Sequence, residues 1–247
     1  MKDYTERRMT AFLTSFASAI LFAMFVFLPA GMAQQPEGFD LRTFDPSTLP
    51  GEHPPFVKGR QFISLEEQRF PEAAIQAMRK DVEQMKAHGF IEARESQVLT
   101  LDLRQKNVKA HRVMADVVQA LKITPANVNA SKLGQAQMID IRESGTRVND
   151  KWTGINRLFV VKKMGLVALN EYDFSLAGGG VAVAAELCNE QVNGHPAALR
   201  VKESPSKRGM SELTWVTENK VFTLSVNRAL KNQKAVNDFI QLAESIQ

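Results

Sequence analysis

Leu213-Thr-Trp-Val-Thr217, Glu218-Asn-Lys220 and Val221-Phe-Thr-Leu-Ser-Val226 form the stretch that decides the fold. Strand side chains alternate between faces. Leu213 and Trp215 therefore share one side of the first run, and Phe222, Leu224 and Val226 share one side of the second. A polar link joins the runs, which predicts an antiparallel hairpin with aromatic and β-branched cross-strand pairs. Directly after it the period changes. Val236, Phe239, Ile240, Ala243 and Ile246 recur at helical spacing from Gln233, behind Asn232 as N-cap. The helix has an apolar stripe to bury and the sheet before it offers an apolar face, so the helix is expected to dock on the sheet.

Strand patterns extend upstream. Ala197, Leu199 and Val201 alternate with Ala198, Arg200 and Lys202, between the turn signal Asn193-Gly-His-Pro196 and the polar loop Ser204 to Gly209. Val181, Val183, Ala185 and Leu187 share a face of a strand that runs from Val181 to Cys188, after the breaker Gly178-Gly-Gly180. Ile155 to Val161 and Leu166 to Phe174 read as two strands joined by the hairpin loop Lys162 to Gly165. Gln137 to Arg142 reads as another strand, with Ser144-Gly145 as a turn. The pattern predicts an α+β fold: an antiparallel β-sheet of about six or seven strands, packed by N-terminal helices and one C-terminal helix.

The N-terminal half supplies those helices. Ser64-Leu-Glu-Glu67 is a capping box. From Pro71 to His88, Ile75, Met78, Val82 and Met85 make one apolar face, and Gly89 is a natural stop. Asn107 to Leu121 has a helical pattern as well, whereas Val98 to Leu103 alternates, with Leu99, Leu101 and Leu103 on one face, and reads as a strand.

Residues 1–33 carry a secretory pattern: Lys2, Arg7 and Arg8, then a nearly unbroken apolar run from Phe12 to Leu28, then Pro29 and small residues up to Ala33. The rival reading is an uncleaved anchor, since the run approaches the ~17 residues that can span a bilayer. Residues 34–60 hold five of the ten prolines and read as a Pro-rich linker, which leaves 61–247 as a single α+β domain. Residues 1–33 set Lys2, Arg7 and Arg8 against Asp3 and Glu6, so 28 basic and 25 acidic residues remain without them, net +3. The Lys and Arg residues are scattered, without the clustering of a nucleic-acid footprint, so no nucleic-acid partner is expected.

Cys188 is the single cysteine, so no intramolecular disulfide forms. His53, His88, His111 and His195 lack ligand spacing, and neither a metal site nor a cofactor is expected. Gly178 to Gly180 precedes a strand, whereas a phosphate cradle follows one. Glu171 and Asp173 stand two apart on one strand and share a face. They are candidates for acid/base work or for holding a ligand, against the plainer reading as outward residues of a solvated strand. Trp152, at a strand start, is the third candidate, as an exposed ligand- or partner-binding ring set against edge-of-core packing.

Val192-Asn-Gly-His-Pro-Ala197, Leu213-Thr-Trp215, Leu224 and Leu242-Ala-Glu-Ser-Ile246 resemble the tail of small extracytoplasmic bacterial envelope domains of the anti-sigma-factor-associated type. The resemblance implies an antiparallel sheet with a packed terminal helix and an envelope-sensing or binding role. Almost nothing precedes Phe12, so the cytoplasmic anti-sigma segment is not expected here. The chain is therefore expected to be a periplasmic or secreted, non-enzymatic binding protein whose partner is an envelope protein or component. The alternatives are a carrier of a hydrophobic ligand, lidded by the Met-rich helix, and a hydrolase using Glu171 and Asp173. Membrane contact is expected only through the signal segment, if it is uncleaved.

Overall fold

Trp215 and Phe222 lie at the centre of the sheet. Strands β9 (Gly209–Val216) and β10 (Lys220–Val226) pair antiparallel, with Leu213 opposite Leu224 and Trp215 opposite Phe222. The two rings stack with centroids 5.0 Å apart and 8° between their planes. Such a pair contributes about 0.5–1.5 kcal/mol beyond the area it buries. The computed structural model describes residues 59–67, 72–106 and 112–247. The signal segment 1–33 and the linker up to residue 58 lie outside the described residues, as do Pro71 and Asn107 to His111.

The main sheet adds β5 (Gly165–Asp173), β4 (Lys151–Val161) and β3 (Gln137–Val148) on the β10 side. On the β9 side lie β8 (His195–Glu203), then β7 (Glu190–Val192) and β2 (Ile91–Glu92) along different parts of it. Eight strands result, antiparallel except for the short β2–β8 pair. The fold is α+β, and the strand count slightly exceeds the expected six or seven. A second, two-stranded sheet is parallel and joins β1 (Gly59–Ile63) to β6 (Gly180–Ala184). Gly59 and Arg60, at the end of the expected linker, thus already belong to the fold, and Arg60 donates from Nη1 to the Val216 carbonyl at 2.9 Å.

Both faces of the main sheet are covered. One face carries Leu169, Leu199, Leu213, Phe222 and Leu224, and the C-terminal helix packs on it with Val236, Phe239, Leu242 and Ala243. That helix spans Gln233–Glu244, and Asn232 Oδ1 accepts from Ala235 N at 2.8 Å as the N-cap. The other face is covered at its two ends. Near one end, Val98 and Leu101 pack on Leu158, Leu166, Ala168 and Met210. Near the other, Val181 of β6 packs on Tyr172, Val216 and Val221.

Several local expectations change. Val98 to Leu103 is not a strand: it contributes to two short helices, α2 (Glu95–Val98) and α3 (Thr100–Lys106). The Gln97 side chain accepts from Arg94 N at 2.8 Å and starts the first turn. Burying Val98 and Leu101, three apart, uses a helical face, and Leu103 is left exposed. The capping box forms, with Ser64 N to Glu67 Oε2 at 2.9 Å and Glu67 N to Ser64 Oγ at 3.2 Å, but the described residues there make only a turn. The long helix is α1 (Glu72–His88). The helix expected from Asn107 to Leu121 is, among the described residues, the short α4 (Met114–Val118), followed by the C-terminal helix as α5. Ser144-Gly145 is no turn either. β3 runs through it with a register shift, and Gly145 at φ 79° lies so close to Tyr172 that a Cβ there would come within 2.5 Å of the ring. The β3–β4 turn is Asn149-Asp150, both left-handed. The Val181 strand ends at Ala184, and Ala185–Leu187 is a 3₁₀ turn.

Candidate functional site

Glu171 and Asp173 do share a face, but it is the helix-packed one, and both are buried. This corrects the solvated-strand reading. Glu171 is 0% exposed and forms an ion pair with the equally buried Arg157 of β4. Its Oε2 accepts from Ala126 N at 2.7 Å and stands 3.9 Å from Lys220 Nζ, which itself donates to the Thr124 carbonyl at 2.7 Å. Burial lowers the Arg157 pKa, against the opposing charge of Glu171. Asp173 Oδ1 accepts from Ser175 N (3.0 Å), Ser175 Oγ (2.6 Å) and Leu176 N (3.1 Å), and Oδ2 from Asn219 at 3.2 Å. Both carboxylates are spent on holding loops to the sheet.

Trp152 is half-buried. Its backbone N donates to the Ala120 carbonyl at 2.8 Å and its carbonyl accepts from Lys122 N at 2.7 Å. The ring packs against the cluster of Val117, Leu121, Ile123, Ile141 and Ile155. It packs at the edge of that cluster, which is the edge-of-core alternative rather than the exposed binding ring. The structure therefore brings the three candidates to no common site.

What the structure does assemble is a row of polar side chains on the opposite face of the sheet. Arg142 pairs with Asn156, Asn156 with Asn170, Asn170 with Thr223, and Thr223 with Thr214, each directly across from the next. Cross-strand partners share a face, so these five residues form one line across β3, β4, β5, β10 and β9. The line lies between two apolar zones. In β5, Asn170 sits between Ala168, which packs against Val98 and Leu101, and Tyr172, which packs against Val181. In β9, Thr214 sits between Met210 and Val216 of the same two zones. The α2–α3 pair and β6 thus flank a trough whose floor is the polar row. Arg142, Asn170, Thr214 and Thr223 are half-buried, and Asn156 is buried.

The floor is partly bonded to itself. Asn170 Nδ2 donates to Asn156 Oδ1 at 2.6 Å, and the hydroxyls of Thr214 and Thr223 lie 3.2 Å apart. That pairing leaves the Asn156 amide N–H donors and the Asn170 carbonyl oxygen for other partners. Charges stand at the two ends. At the β3 end, Asp140 takes the Nε of Arg142 at 3.0 Å and faces the Nε of Arg104 at 3.5 Å. Burial is the main force lowering the Arg104 pKa, with Asp140 opposing and Arg142 adding to it. At the β8 end, Lys202 pairs with Glu212, and Arg200 Nη2 donates to Asp81 Oδ2 of α1 at 2.6 Å.

A second concavity opens where β8 and β10 end and β9 begins. It encloses about 540 Å³ between Asp102, Glu203, Lys207, Arg208, Asn227 and Lys231. Glu203 occupies Lys207 Nζ at 3.1 Å and Lys231 Nζ at 2.6 Å, while Asn227 donates to Asp102 at 3.0 Å. Those two Lys–Glu203 bonds are the largest causes that lower the Glu203 pKa. Cys188 is half-buried, and burial raises its thiol pKa, which disfavours the reactive thiolate. Among the described residues no three His, Cys, Asp or Glu side chains converge as metal ligands. His195 Nδ1 lies 3.2 Å from Arg60 Nη1, and His53 and His111 lie outside the described residues. No helix among the described residues is long and apolar enough to cross a membrane.

No family model, curated protein or solved structure matches this chain, so the functional argument rests on its own geometry.

The sequence signal for the polar row was available but faint. Asn156, Asn170, Thr214 and Thr223 each interrupt an apolar strand, and nothing local says that four interruptions line up. Register supplies that.

Proposed function

We propose that this chain is a non-enzymatic binding protein of the cell envelope, secreted or periplasmic, which holds an extended polar envelope component in the trough. The polar row carries the reading. Five polar side chains cross the middle of a sheet face whose two ends are closed by apolar packing. Four of the five are half-buried and the row is only partly bonded to itself, so donors of Asn156 and Arg142 and the Asn170 carbonyl remain for a partner. The extracytoplasmic address rests on the signal pattern of residues 1–33 and on the resemblance of the C-terminal run to envelope domains. The carrier alternative draws less support, because Met78 of the Met-rich helix packs directly on Leu65 and Ala184. The hydrolase alternative loses its motivation once Glu171 and Asp173 are engaged in loop-holding bonds.

The test is NMR titration of the protein with N-acetylchitotetraose, a neutral chain of hydroxyl and amide groups. The side-chain amide signals of Asn156 and Asn170 are expected to shift saturably, and Thr223→Val is expected to weaken the effect. Shifts confined to other regions, or none, refute the trough as the binding site.

A further inference from the structure

The β3 end of the trough holds two guanidinium groups and one carboxylate. Asp140 is 2% exposed and shared between Arg142 and Arg104, so the cluster keeps a net positive charge. Arg104 is half-buried; its Nε and Nη2 atoms are shielded from solvent and make no hydrogen bond among the described residues, although Nε stands 3.5 Å from Asp140. Buried donors without acceptors are rare, and a bound acceptor is one arrangement that satisfies them. The Arg142 side chain is 40% exposed. It meets Asp140 through Nε, which leaves its terminal N–H fork without a hydrogen bond among the described residues. A guanidinium fork matches a carboxylate in two parallel bonds. The other charges near the row are paired: Lys202 with Glu212, and Arg200 with Asp81. Positive charge is therefore concentrated at one end of an otherwise neutral floor.

Along that floor the Asn156 amide offers donors, the Asn170 carbonyl an acceptor, and the two threonine hydroxyls both. They recur once per strand, about 4.8 Å apart, which gives roughly 19 Å from β3 to β9. That spacing is comparable to one sugar unit in an extended pyranose chain, which presents hydroxyls at every unit. A peptide recognised by a sheet instead uses an edge strand and side-chain pockets, and the row provides neither.

We propose that the ligand is an acidic glycan, with a sugar carboxylate seated on the Arg142 fork and its hydroxyls along Asn156, Asn170, Thr223 and Thr214. This deepens the binding reading above and rests on it. Arg104 contributes charge to the seat, and Asp140 orients Arg142 across the end of the row.

Calorimetric titration of the full chain with tetragalacturonate and with its fully methyl-esterified form tests the proposal. The ester has the same chain without the charge. The acid form is expected to bind at least tenfold more tightly. Arg142→Gln is expected to erase that preference, so that the acid form binds no more tightly than the ester, whereas Asn170→Leu weakens both and keeps the preference. Arg208→Gln, in the cleft at the end of the sheet, is expected to leave the preference intact. Arg142 is partly exposed, so its variant keeps the fold, and an unchanged melting temperature verifies this. Equal binding of acid and ester overturns the acidic-glycan proposal and leaves the binding reading standing. If neither sugar binds and N-acetylchitotetraose gives no shift, the binding reading itself fails. A preference lost in Arg208→Gln but kept in Arg142→Gln moves the anion seat to the cleft and overturns the proposal. Equal competition by tetraglutamate overturns the choice of a glycan over a peptide.

Discussion

Replacing Glu171 with Ala removes one partner of a buried ion pair. Arg157 then keeps its charge in the sheet interior with no carboxylate opposite, since both side chains are almost inaccessible. Breaking such a pair costs about 3–5 kcal/mol, mainly because the remaining charge is left uncompensated. Glu171 also accepts from Ala126 N and lies near Lys220, so the 124–127 segment loses an anchor at the same time. These contributions share one residue and do not add. The expected loss is about 4 kcal/mol, and at about 2–4 °C per kcal/mol for a domain of this size the melting temperature falls by roughly 8–16 °C. Urea unfolding followed by the fluorescence of Trp152 and Trp215 measures the loss directly. Adding Arg157→Met to Glu171→Ala is expected to recover much of it, because the double variant no longer buries an orphan charge. Two results refute the reasoning. One is a single-variant loss below about 1 kcal/mol, the range of exposed pairs. The other is a double variant less stable than the single one.

Asn232→Ala removes the N-cap of α5 and is expected to cost about 1 kcal/mol, read as a lower urea midpoint with an unchanged slope. Gly209→Ala places a Cβ about 2.3 Å from the Ala229 backbone nitrogen and is expected to cost about 1–3 kcal/mol through overpacking; calorimetric melting checks it. The Arg112 hydrogen bond is the largest cause that lowers the Glu143 pKa below its ordinary 4.5. A carboxyl lowered in the folded state contributes stability that is present above the unfolded value and lost as pH falls through the folded one. The stability gap between the wild type and Glu143→Gln is therefore expected to be constant from neutral pH to about pH 5 and to close below that, in unfolding curves taken across the range. A gap that widens on acidification contradicts the assignment.

The hairpin from Leu213 to Val226, the docked helix after Asn232 and the loop from Lys162 to Gly165 were legible because each is a local pattern. Alternation, period and caps act within a few residues. The misreadings came where local pattern was ambiguous. Leu99, Leu101 and Leu103 alternate as in a strand, yet Val98 and Leu101 bury as a helical pair against Met210 and Leu158. Ser144-Gly145 has turn chemistry, yet the chain passes straight through it as a bulge. Glu171 and Asp173 were read as solvated because charged residues in strands usually are. Arg157 and the 124–127 segment, which make their burial tolerable, lie far away in sequence.

The sequence by itself determined the α+β class, the central hairpin and the amphipathic terminal helix, since these follow from side-chain periodicity and short-range hydrogen bonds. Only the tertiary structure decided which polar residues meet. Arg142, Asn156, Asn170, Thr223 and Thr214 become one row through strand register, and register is set jointly by turns, bulges and the packing of both faces. Shifting any one of these strands by a single residue would turn its member of the row to the opposite face, which is why no local reading of the chain contains the site.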